Sequence, residues 1–283
     1  MKRLKVLITG ANGQLGTDMV NHFKATGNKV YDFGKHELDI TDVSCVQKIL
    51  HENEPDVVIH CAAYTNVNLA ETKPDQAYLI NSYGSRNIAI AAEQISAKLV
   101  YISTDYVFDG NSSTPYTEFD QTNPINHYGK SKLAGEQFVR DFHNQFYIVR
   151  TSWLYGKHGR NFVKNMLTLA KEKNTISVVF DQIGSPTYTV DLCERIHQLI
   201  QTDKFGIYHI SNTGSCSWFD FANCIFKEKN ITIQLNKVRS EYFKYNVLRP
   251  TYSVLSDRAL ILNDFKQMRH WKDALKESLT EIN

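Results

Sequence analysis

The chain has 283 residues, 42% of them hydrophobic and 22% charged, with a net charge of +2. It is long enough for a sizeable core in one large domain or two coupled ones, with the make-up of an ordinary soluble globule. The small charge and the lack of a Lys/Arg stripe argue against nucleic acid, no segment reaches transmembrane length, and the apolar run at 6–8 is too short for a signal peptide.

In chain order, residues 4–9 read as a strand and Gln14–Ala25 as a helix, with Gly10, Gly13 and Gly16 in the turn between them. That spacing suits a dinucleotide. The first glycine allows a tight turn, the second lets backbone approach a pyrophosphate, and the third lets helix and strand pack closely. The spacing is GxxGxxG rather than GxGxxG, so the flanking strand and helix carry the reading. Lys29–Phe33 is a weaker strand. Val43–Asn53 follows as a helix behind the caps of Asp39-Ile40-Thr41-Asp42. Strands at 56–61, 98–102 and 146–150 alternate with helices at 74–95 and 128–142, which predicts a parallel sheet covered on both faces.

Beyond residue 151 the pattern loosens into helices at 161–173, 190–200 and 218–226 and strands at 176–180 and 205–211. The expected architecture is a doubly wound Rossmann-type α/β domain over 1–151 and a smaller α/β substrate lobe over 152–283. Residues of about 187–211 are expected to return to the first domain. Five scattered cysteines without CxxC pairing fit reduced thiols in the cytoplasm, not a disulfide frame or zinc site.

YxxxK occurs twice. Tyr31–Lys35 straddles a strand end and a loop with Gly34, and carries little weight. Tyr128 and Lys132 fall on a helix, one turn apart on one face. A phenol is a poor acid–base group at neutral pH unless its anion is stabilised, and a nearby cation does that. Thr104 ends the strand that starts at Lys98. Ligands of open parallel sheets sit at such strand ends, so its hydroxyl can meet a substrate oxygen.

Glycine turn, Thr104 and Tyr128/Lys132 together resemble the extended short-chain dehydrogenase/reductases. The resemblance implies that Tyr128 exchanges a proton with the substrate, that Lys132 binds the cofactor ribose and lowers the Tyr128 pKa, and that Asn81 supports a proton relay. The segments at 60–65, 103–110, 150–156, 181–187 and 249–253 are similar to motifs of the dTDP-4-dehydrorhamnose reductase family over nearly the whole chain. That resemblance implies reduction of the 4-keto group of a dTDP-linked 6-deoxyhexulose to dTDP-L-rhamnose by NADPH or NADH. It implies cofactor contacts at Gly10, Asn12, Gly13, Gln14, Leu15, Asp39, Ile40, Cys61, Ala62, Ala63 and Tyr64, besides Tyr128 and Lys132. Substrate contacts are implied at Thr104, Asp105, Tyr106, Tyr128, Trp153 and Arg249.

Related 4,6-dehydratases carry a Glu after the Asp that follows the catalytic Thr. Here Asp105 is followed by Tyr106, which favours simple reduction. Asn68 stands where the reductases usually show Asp. Asp18 matches only one acidic position of a metal site found in some relatives, so no metal is inferred. Asp32 would favour NAD, whereas Lys35 and His36 could accept a 2′-phosphate. Another ketosugar reductase, an epimerase and a regulatory subunit of methionine adenosyltransferase type stay open as alternatives. So does the oligomeric state, a homodimer among the options.

Overall fold

The computed structural model describes residues 3–243 and 247–282. Its first half runs β1 Lys5–Thr9, α1 Gln14–Ala25, β2 Lys29–Phe33, α2 Val43–Asn53, β3 Val57–His60, α3 Val67–Thr72, α4 Pro74–Tyr78, α5 Ser85–Gln94, β4 Lys98–Thr104, α6 His127–Phe142 and β5 Phe146–Thr151. The second half runs β6 Leu154–Tyr155, α7 Phe162–Glu172, β7 Thr175–Val179, β8 Ile183–Gly184, β9 Thr187–Tyr188, α8 Thr189–Ile200, β10 Gly206–His209, β11 Cys216–Ser217, α9 Trp218–Glu228, β12 Gln234–Val238, α10 Arg258–Leu262 and α11 Trp271–Glu281.

Six strands form a parallel sheet in the order β10-β5-β4-β3-β1-β2. Alternation along each strand divides its side chains between two cores. Val6, Ile8, Ile59 and Val149 pack with residues of α1 and α8, while Leu7, Val58, Leu99 and Ile148 pack with those of α2 and α5. Burying such a side chain fully stabilises the fold by about 2 kcal/mol. Both faces are covered, which is why these strands read as nearly unbroken apolar runs. The order in which strands are added reverses between β1 and β3, and ligands bind outside the strand ends at such a switch point. A third core joins α7, α9 and α11 through Val163, Phe221, Trp271 and Leu275.

The structure departs from the predicted pattern at several elements. The helix expected over 74–95 is interrupted by a π-helical turn at Leu79–Gly84. β12 went unread because its sequence, QLNKV, is largely polar, and it pairs with β7 alone. α3, α10 and α11 were also unread. The first two are only six and five residues long, too short for a periodic signal.

Candidate active site

A cavity of about 660 Å³ opens along the carboxyl ends of the strands, from the glycine turn to the start of the second half of the chain. Gly10 has a φ of +64°, and a Cβ there would lie 2.7 Å from the Ala62 amide nitrogen. At Gly16 a Cβ would lie 2.1 Å from the Gly10 carbonyl oxygen, so α1 packs on the turn only without a side chain. Gly13 caps α1 with no side-chain hydrogen bond, which leaves the amides of Gln14, Leu15 and Gly16 for a ligand. Three open donors at a helix N-terminus, beside a turn that a Cβ would fill, fit a dinucleotide pyrophosphate.

The same wall continues through Asn12, Asp39, Ile40, Cys61, Ala62 and Ala63, all on the cavity surface. Burial pushes the Cys61 thiol up to about 12, so it stays protonated. Asp32 does not line the cavity; it pairs with Lys24 at 3.2 Å. Lys35 does line it. The Gln14 side chain accepts from Asn161 Nδ2 at 2.8 Å, and this ties the glycine turn to the loop that carries Arg160. Arg160 is a wall residue the sequence reading missed.

At the other end Thr104, Asp105, Tyr106, Tyr128, Lys132 and Trp153 share the wall. Asn126 caps α6 by accepting from Gly129 N at 2.8 Å, starting the helix just ahead of Tyr128. Thr104 Oγ1 donates to Asp105 Oδ1 at 3.0 Å and accepts from Tyr106 N at 3.2 Å. Burial raises the Asp105 carboxyl to about 6, against hydrogen bonding from Ser253 and Thr104. Burial also raises the Tyr128 phenol, with the Thr104 hydroxyl opposing it. Tyr128 is therefore a neutral O–H donor at neutral pH. Lys132 is buried with Nζ 4.0 Å from the Tyr101 ring centroid, and desolvation lowers it to about 7.

Tyr64, Asn81 and Arg249 are not among the residues that line the cavity. Asn81 Oδ1 accepts from Tyr64 N at 2.7 Å, and its Nδ2 donates to Tyr64 O at 3.0 Å and Ser131 Oγ at 2.9 Å. Arg249 donates to Tyr106 Oη at 3.3 Å and to Asn68 Oδ1 at 2.9 Å. Trp218 lines the cavity without having been expected there; only its spacing from Phe221 and Phe226 was legible, as a helix face. Among the described residues no group of three His, Cys, Asp or Glu side chains could hold a metal ion, and Asp18 lies 3.5 Å from His158.

Sheet, glycine turn and hydroxyl–phenol–lysine set together define an NAD(P)-dependent oxidoreductase of Rossmann type. Residues 4–283 match the family model described as the RmlD substrate binding domain. The chain belongs to that family. A crystal structure of dTDP-4-dehydrorhamnose reductase from Bacillus anthracis str. Ames in complex with NADP is 51% identical with a TM-score of 0.97, covering 99% of this chain and 100% of that one. Spore coat polysaccharide biosynthesis protein SpsK of Bacillus subtilis is 44% identical over 98% of this chain and 97% of its own length. A dTDP-4-dehydrorhamnose reductase of Streptomyces griseus is 38% identical over 99% and 94%.

Proposed function

We propose that this chain reduces the 4-keto group of dTDP-4-dehydrorhamnose to give dTDP-L-rhamnose, at the expense of NADPH or NADH, in nucleotide-sugar and polysaccharide biosynthesis. The observation that carries the reading is Thr104, Tyr128 and Lys132 on one cavity wall with the glycine turn. Full-length similarity to reductases of that name supports the substrate. Bound reduced nicotinamide supplies the hydride that the C4 carbon accepts. Tyr128 holds the proton that passes to the C4 oxygen, and the carbonyl becomes a secondary alcohol. Thr104 positions that oxygen, and Lys132 brings positive charge to the phenolate that forms.

In this reading residues 1–151, with 187–211, hold the cofactor, and the rest of 152–283 holds the sugar nucleotide. Arg249, through Tyr106, steadies the sugar end. The cytoplasm is the assigned compartment, and its reducing conditions suit five free thiols. The test is a coupled assay on dTDP-4-keto-6-deoxyhexose with NMR identification of the product. Consumption of reduced cofactor with formation of dTDP-L-rhamnose is expected; epimerisation without cofactor oxidation overturns the reading.

A further inference from the structure

Ser103, Glu136 and Arg150 lie outside the roles assigned above, yet they form a deeply buried charged cluster beside the site. Glu136 and Arg150 are 2% and 3% exposed. Arg150 grips the Glu136 carboxylate with two bonds, Nε to Oε1 at 2.9 Å and Nη2 to Oε2 at 2.7 Å. Ser103 Oγ donates to the same Oε1 at 2.5 Å. His209, from β10, lies 3.5 Å from Arg150 Nη1, and its other ring nitrogen bonds the Tyr116 carbonyl at 3.0 Å. Two strands and one helix therefore fix a single carboxylate.

Its position matters because Glu136 follows Lys132 by four residues on α6, and such residues share a helix face. A buried ammonium is costly without a nearby opposite charge. The titratable groups about Lys132 are Glu136 and Tyr128 one turn away on its own helix, Cys61 and His60 at the end of β3, and the Tyr101 ring from β4. Burial holds His60 near 3 and Cys61 near 12, so both are neutral at pH 7. Glu136 is then the one negative charge in that set.

We infer that Glu136 is a positioning residue of the reductase, held by Arg150 and Ser103 as the fixed counter-charge of Lys132 and acting on the reaction only through it. The inference rests on the proposed reductase reading. Removing the carboxylate charge makes Lys132 lose its proton at lower pH, so the alkaline fall of activity moves down. Desolvation already pulls Lys132 to about 7 against the pull of Glu136, which puts this fall within the working pH range.

The experiment measures kcat for the dTDP-4-keto sugar with saturating NADPH from pH 6 to 9. In Glu136→Gln the alkaline limb moves down by about half a unit or more, roughly a threefold fall in the ratio of activity at pH 8 to pH 6. Glu136→Asp keeps the charge and keeps the limb near the wild-type pH. Should Glu136→Gln fail to fold with Arg150 unpaired, Arg150→Met with Glu136 kept is the second variant: it removes the cation that competes with Lys132 for the carboxylate, so the alkaline limb moves up rather than down. A limb that stays put in folded Glu136→Gln, or in Arg150→Met where that variant stands in for it, overturns the inference and makes the cluster purely structural. Wild-type protein that does not reduce the sugar overturns the reductase reading itself, a distinct result.

Discussion

Trp153 lies face to face on Trp218, with ring centroids 3.4 Å apart and planes within 7°. Trp153 holds a φ of +48°, an unfavourable backbone for a bulky residue, and a Cβ at Gly184 would lie 2.5 Å from its indole. Trp218 is anchored in turn by Nε1 donating to Gln182 Oε1 at 3.2 Å. Both indoles line the cavity.

Trp218→Ala removes the stacking partner and leaves Trp153 free to turn away. An aromatic pair contributes about 1 kcal/mol beyond its buried area, so KM for the sugar nucleotide should rise about fivefold with kcat less affected. Near-UV circular dichroism should lose the signal of the stacked indoles. An unchanged KM alongside that spectral loss would separate the stack from substrate binding.

Asn81 is a brace in this structure. Both ends of its amide are engaged with the Tyr64 backbone and Ser131, and it is fully buried. Asn81→Ala removes the acceptor of the part-buried Tyr64 N–H and the donor to Ser131, a loss of about 1–3 kcal/mol. Urea unfolding measures it. A variant of wild-type stability that nonetheless fails to turn over would return Asn81 to the relay role that the family resemblance implies.

Cofactor choice follows from two side chains of similar sequence position. Asp32 is turned to Lys24, while Lys35 lines the cavity. No carboxylate is therefore presented by Asp32 to a ribose, and a cation is available for a 2′-phosphate. The protein should prefer NADPH, and Lys35→Ala should reduce the ratio of kcat/KM for NADPH to that for NADH about tenfold, the effect of one charged hydrogen bond. A ratio that does not change in the variant would remove Lys35 from cofactor selection.

Much of this site was legible because its parts are local. Gly10, Gly13 and Gly16 flanked by a strand and a helix, Thr104 at a strand end, and Tyr128 with Lys132 one turn apart each follow from short-range pattern. What could not be read depends on distant partners. The π-helical turn that aims Asn81 inward is held by contacts with residues 64 and 131, and a period-3.6 reading of 74–95 has no place for it. Trp218 reaches the cavity by stacking on a residue 65 positions earlier. Asp32 and Lys35 point to opposite cofactors in the sequence, and the choice between them depends on side-chain direction at the end of β2, which Lys24 of α1 helps to set.

Lys132 links the site to stability. Burial lowers it to about 7 in the folded chain, against 10.5 for the free side chain. Between those values the unfolded chain binds more protons than the folded one, so stability rises with pH across that window. Below about pH 7 the full cost of holding a buried ammonium is present. Lys132→Met removes that cost, so the variant should be more stable than wild type at pH 6, by a few kcal/mol at most because Glu136 offsets part of the cost. The gap should narrow towards pH 10. Turnover should fall by about a hundredfold or more in the same variant, since the developing phenolate of Tyr128 loses its cation. Urea unfolding at pH 6 and pH 9, run beside the reductase assay, measures both. A variant less stable than wild type at pH 6 would mean that the Glu136 charge, left without Lys132, costs more than the buried ammonium it replaced.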